Sequence, residues 1–286
     1  MSPKSRILDP RALDHCVLPV ADLDSARSRY AALGFTVAPQ GTHPFGTINA
    51  CVYFADDTFL EPLAVGDASE TRRAIDHDNV FVARDALYRR EASETGFSAL
   101  VFKTDDAGVD HANFLADGIS AGPMLDFSRD FFDPNGNAGQ VSFRLAFAAE
   151  PTSATSDCLT CQRINSPSAS GRAALERHAN GVAGILGVTL SAEDPAHHVP
   201  FLQALVRSDT QHDDPEFSAD LFNARLTLVP GDGPLRLIAL HFAVEDLAAT
   251  AEVLSAGGVA FERGGHRLTV PPAPGQGAIF IFEEQR

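Results

Sequence analysis

One spacing recurs three times in this chain and constrains its fold more than any other feature. An apolar strand leads to an Asp, a helical stretch follows, and a Gly stands twelve positions after the Asp: Asp22 to Gly34, Asp106 to Gly118, and Asp246 to Gly258. An Asp at that place accepts hydrogen bonds from the free N–H groups of a helix's first turn. A Gly at the far end supplies the left-handed conformation that closes the last turn. The apolar residues between them fall on one face, as in Leu23, Ala26 and Tyr30 or Leu247, Ala251 and Leu254. A weaker fourth copy starts at the strand Gly181–Ser191, continues through Asp194-Pro195, and carries Val199, Leu202 and Val206 as its stripe, with Pro200 inside. An interior proline removes a backbone hydrogen bond, so this helix is expected to kink or start late. Each copy is followed by material for several strands, which makes the chain a fourfold repeat of strand–helix–strand–strand–strand units.

The first unit, Leu13 to Val65, is the most complete. It carries His15 on its first strand and Glu61 on its last. Two segments break the rhythm. Residues 66–96 read as a charged, partly helical insertion, and residues 151–180, rich in Ser, Pro and Thr, read as a linker, which puts a domain boundary near residue 150. The domains expected are therefore 1–150 and 181–286.

The net charge of −16, with only two lysines (Lys4 and Lys103), argues against a nucleic-acid role and against a polybasic membrane anchor. No apolar run reaches the roughly 20 residues of a membrane helix. With no secretory apolar core at the start and four cysteines in 286 residues, cytoplasmic residence is the expectation. Cys158 and Cys161 form a lone Cys-x-x-Cys, read as free thiols at the edge of the linker rather than as a metal site. His197 and His198, adjacent on a helix, read as surface residues. The 20 phenylalanines, in alternations such as Phe143/Leu145/Phe147, suit sheet packing and the lining of an apolar cup.

Four such units, together with Leu13-Asp14-His15-Cys16-Val17-Leu18-Pro19-Val20-Ala21-Asp22-Leu23, the loop Gly41-Thr42-His43-Pro44-Phe45-Gly46 leading to Asn49, and His178-Ala179-Asn180-Gly181, resemble the vicinal oxygen chelate superfamily. That superfamily includes glyoxalase I, bleomycin-resistance proteins and extradiol dioxygenases, and the likeness here is to its glyoxalase-like branch. The resemblance implies an α+β fold of four βαβββ modules, paired into two glyoxalase-like domains with curved mixed sheets. It also implies a divalent metal (Zn, Fe, Mn or Ni) held in a cup by residues of the first and last strands.

Carried over position by position, the resemblance gives His15 and Glu61 as metal ligands. In the second unit the matching positions fall at Ala99 and Arg144, and in the fourth at Ala239, with His241 two residues on. The four-ligand site is thus incomplete. His43 is the candidate proton shuttle or third ligand. Asn49 offers an amide to a polar substrate. Arg144 offers a guanidinium to a substrate carboxylate or to Glu61. His178 and Asn180 are candidate substrate contacts or caps. Two function classes follow: a lyase, isomerase or dioxygenase acting on a small oxygenated metabolite, or a non-catalytic protein that sequesters a small molecule. Either is compatible with a homodimer.

Overall fold

The computed structural model describes residues 9–132, 138–150, 153, 156–165 and 172–284. The stretch Asp133-Pro134-Asn135-Gly136-Asn137, whose Pro, Asn and Gly read as a turn, lies outside them. The four repeats are four modules. The first comprises β1 (Leu13–Pro19), α1 (Leu23–Ala32), β2 (Gly41–Thr42), β3 (Thr47–Asn49), β4 (Val52–Tyr53) and β5 (Phe59–Val65). The insertion then folds as α2 (Ala68–Asp76) and α3 (Val80–Glu91). The second module is β6 (Ala99–Lys103), α4 (Ala107–Ala116), β7 (Leu125–Phe132), β8 (Ala138–Ala149) and β9 (Asp157–Asn165). The third is β10 (Val182–Ala192), α5 (Pro195–Val206), β11 (Thr210–Asp213), β12 (Glu216–Asp220) and β13 (Arg225–Pro230). The fourth is β14 (Arg236–Val244), α6 (Leu247–Ala256), β15 (Glu262–Gly264), β16 (Arg267–Val270) and β17 (Ile279–Glu284).

The repeated punctuation does what its chemistry requires. Asp22, Asp106 and Asp246 each accept backbone N–H bonds from the first turn of their helix. Gly34, Gly118 and Gly258 take φ of 85°, 71° and 67°. Pro200 is accommodated inside α5, which runs through to Val206.

Modules pair in chain order. In each, the first strand runs parallel to the last, and the first strands of two modules meet antiparallel: β1 with β6, and β10 with β14. The result is two curved mixed sheets, ordered β2-β3-β5-β1-β6-β9-β8-β7 (with β4 also on β5) and β11-β12-β13-β10-β14-β17-β16-β15.

One difference from the sequence reading matters for the site. The segment read as linker contains β9, the last strand of the second module. Cys158 and Cys161 sit buried within it as free thiols, not at a linker edge. Its strand character comes from pairing with β6 and β8, residues far away in sequence, and not from its own composition.

The two faces of the N-terminal sheet have different fates. Cys16, Leu18, Leu60 and Leu100 face a core that also contains Phe242, Phe280 and Phe282 of the other sheet. Phe35 sits at its centre, with ring centroids 5.6 Å from Phe242 and 6.2 Å from Phe280. Here α1 meets α6 so closely that a Cβ on Gly257 would lie 2.0 Å from the Ala32 carbonyl oxygen. The opposite, concave face carries a second cluster around Val17, Leu63, Val101, Leu145 and Leu159, against which Phe81 of α3 packs. The insertion is therefore a roof over the cup. Arg89 pins it, donating to the carbonyls of Val20 (3.1 Å) and Leu63 (2.9 Å) while pairing with Asp85. Among the described residues no helix is long and apolar enough to cross a membrane.

Candidate functional site

Alternation along the strands determines which side chains enter the cup. His15 on β1, Phe59 and Glu61 on β5, Phe127 and Arg129 on β7, Phe143 and Leu145 on β8, and Leu159 and Cys161 on β9 all line one cavity. Its open space, mouth included, is about 530 Å³.

At its floor, three buried titratable groups meet. His15 Nε2 lies 3.4 Å from Glu61 Oε2, and His43 Nε2 lies 3.7 Å from Glu61 Oε1. Asn49, on β3, donates from Nδ2 to Glu61 Oε1 at 2.6 Å. Gly46, at φ +88, turns the loop that carries His43, and His43 stacks on Phe45 at 5.0 Å. Gly41 has no room for a side chain, because a Cβ there would strike Asn49 and Arg129.

A second layer orients the imidazoles. The register of β1 against β6 shifts between Leu13 and His15, and this irregularity brings Asp14 beside His15. His15 Nδ1 bonds Asp14 Oδ2 at 2.8 Å, and Arg163 of β9 holds Asp14 at 2.7 Å. His43 Nδ1 is bonded to the Thr47 hydroxyl at 2.9 Å. Each ring thus has one nitrogen fixed and turns the other toward Glu61, the arrangement that sets ring orientation in metal-binding histidines.

The electrostatics divide the two rings. Burial works against charge on both. It pulls His43 down to about 4, so that ring is neutral at neutral pH. His15 is raised above its ordinary value, because its bonds to Asp14 and Glu61 outweigh its burial. Glu61 is held ionised, down to about 2, because His15, His43 and Asn49 overcome the burial penalty.

The remaining expected site residues lie elsewhere. Arg144 does not enter the cup: its neighbours Phe143 and Leu145 do, so its own side chain goes to the other face, 41% exposed and paired with Asp126 at 2.7 Å. The position across from Glu61 belongs to β9, where Leu159 stands. His178 accepts from the Thr36 N–H (3.0 Å) and donates to the Tyr53 carbonyl (2.9 Å). Asn180 donates to the Leu33 carbonyl and accepts from the Val182 N–H. Both tie the third module to the first and neither lines the cavity. In the fourth module His241 bonds Glu283 (2.9 Å) and Thr189 (2.8 Å).

Sequence reasoning missed Asp14, Arg163 and Arg129. Asp14 adjoins His15, so the Asp-His pair was its signal. Arg129 shares strand parity with Phe127, but which face of β7 turns inward is not written locally. The Nε of Arg129 is buried without a hydrogen-bond partner among the described residues.

The sequence profile described as the glyoxalase-like domain matches residues 13–206. No curated protein matches the chain. Among solved structures, a hypothetical protein from Staphylococcus aureus is similar at a TM-score of 0.72 and 16% identity, over 96% of this chain and 100% of that one. The Mn(II)-bound glyoxalase from Novosphingobium aromaticivorans is similar at 0.55 and 13%, over 97% and 83%. Homoprotocatechuate 2,3-dioxygenase from Arthrobacter globiformis is similar at 0.57 and 15%, over 97% and 80%. With the repeated modules and their paired curved sheets, these matches place the fold, and the chain belongs to the glyoxalase-like domain family of the vicinal oxygen chelate superfamily.

Proposed function

We propose that the N-terminal cup is the active site of an enzyme acting on a small oxygenated molecule that combines a flat apolar part with an anionic group. The observation that carries this reading is the floor of the cavity, where two buried imidazoles turn Nε2 toward an ionised, buried Glu61. A buried charge held this way is expensive to maintain for packing alone, and such groups cluster at functional sites.

The donor set suits a divalent cation: imidazole nitrogens from His15 and His43 with one carboxylate is a set common to non-haem iron, manganese and zinc sites. The three donor atoms do not all lie within 4.8 Å of one another, so His43, on its loop, is the side chain that would move inward to complete the set. A cation held there would act as a Lewis acid on substrate oxygens.

The chain's own residues supply the rest. Phe45, Phe81, Phe127 and Phe143 wall the cavity and exclude water from a planar group. Arg129, whose Nε has no partner among the described residues, would receive a carboxylate or other oxyanion. Asn49 keeps Glu61 in place. Where no cation recruits His43, its neutral Nε2 is free to take a proton beside Glu61.

Metal analysis of protein purified without chelator tests this, with His15→Ala and Glu61→Gln beside the wild type. One equivalent fewer of divalent metal is expected in each variant. Equal metal in all three after loading with Zn²⁺, Fe²⁺ or Mn²⁺ would remove the metal from the proposal. A second reading, sequestration of an apolar ligand without turnover, draws on Ala99 and Leu159, which put no donor at the second module's two positions matching His15 and Glu61. A ligand recovered unchanged after long incubation with the metal-loaded protein would favour it.

A further inference from the structure

Away from the cup, the described residues hold one group of three ligand-type side chains whose donor atoms all lie within 4.8 Å of one another: Glu150, His197 and His198. Glu150 directly follows β8, and the two histidines occupy the first turn of α5. The sequence reading placed both histidines on the surface. His197 is exposed, but His198 is 6% exposed and its Nδ1 is buried without a hydrogen-bond partner among the described residues.

That nitrogen faces Glu150 Oε1 at 3.9 Å. The separation is too long for a hydrogen bond and short for a bridging water, which would set the two atoms roughly 4.5 Å apart at ordinary bond lengths. Two ligands about 2.1 Å from a shared tetrahedral metal stand roughly 3.4 Å apart, so a shift of about half an ångström would close the site. Burial lowers the proton affinity of His198, which keeps its lone pair available. The positive end of α5 opposes a cation here, but the charges of Glu150 and of the N-cap Asp194 act against it. The His197 ring, 5.0 Å from that of His198 and nearly perpendicular to it, stands at the solvent side, where exchangeable water would complete the coordination.

We propose that Glu150, His197 and His198 form a second divalent-metal site, of the zinc, cobalt or nickel class, which clamps the end of β8 to the start of α5. It shares no residue with the cup, so it stands or falls apart from the reading of that site.

The test uses the full chain carrying His15→Ala and Glu61→Gln, stripped of metal and titrated with Zn²⁺ and, for its visible absorption, Co²⁺. One equivalent should still bind and should raise Tm. Adding His197→Ala, at an exposed position, should weaken Zn²⁺ binding at least tenfold, and adding His198→Ala should abolish it. Because His198→Ala empties a buried space, Glu150→Gln serves as the isosteric control: it should lose the Zn²⁺-induced rise in Tm. No bound equivalent in the cup-less chain, or affinity unchanged by both histidine substitutions, would overturn the proposal, as would a Tm rise undiminished in Glu150→Gln.

Discussion

Two arginines on neighbouring strands of one sheet have opposite prospects, and parity decides between them. Arg129 shares a face with the phenyl rings, whereas Arg144 looks outward at Asp126. Arg129→Met should weaken binding of aryl carboxylates at least tenfold by calorimetric titration, since a charge-assisted bond is lost. Arg144→Ala should leave that affinity within about twofold and change stability by less than about 1 kcal/mol, as exposed ion pairs do. His43 carries a pH prediction. Its pKa is lowered by burial from 6.5 to about 4, so the unfolded chain takes up the proton first. Stability from this ring is complete above pH 6.5 and declines as the pH falls to about 4, by up to about 3 kcal/mol. Glu61, lowered from 4.5 to about 2, adds a further loss only below pH 4.5. Urea titrations across this range should show a shallower pH dependence between 6.5 and 4 for His43→Gln; an identical slope would mean the ring titrates normally. Of this site, His15, Glu61, His43 and Asn49 were legible, because each sits on a short local frame. Arg129 and Arg144 were not separable, since strand parity there depends on a partner strand chosen by the whole sheet.

Helices announced themselves and one strand did not. The Asp and Gly signals are local, so three of the helical frames could be read from spacing alone, and the fourth survived its proline. β9 was hidden because Ser, Pro and Thr surround it and its reason for being a strand lies in β6 and β8. That omission moved the expected ligand position from β9 to Arg144. The contact of α1 with α6 gives an element-scale prediction. At Gly257, φ is −76°, so backbone strain is not the issue; a methyl group would collide with the Ala32 carbonyl. Gly257→Ala should force the helices apart and cost about 1–3 kcal/mol in urea denaturation. Gly258→Ala meets open space but must hold φ at 67°, and should cost about 1 kcal/mol through backbone strain.

Taken whole, the molecule is less divisible than its sequence suggests. The core around Phe35 draws residues from both sheets, and a second tie lies at Asp110 of α4, buried at 1% exposure. Arg11 grips its carboxylate with bonds of 2.9 and 2.7 Å, and Arg207, at the end of α5, pairs with the same group. Asp110→Ala would leave two guanidinium groups without their counter-ion and should cost about 3–5 kcal/mol. Because both sheets share these contacts, calorimetry should show one cooperative transition; two resolved transitions would argue for independent halves.

The roof over the cup bears on how fast a ligand could come and go. Arg89, fastened to two backbone carbonyls of the first module, holds that end of α3 down. Exchange would then proceed along the rim beside Arg129 and the His43 loop, without a lid-opening step ahead of it. Observed association rates should rise linearly with ligand concentration and show no plateau, and loosening the roof with Arg89→Ala should speed release more than capture.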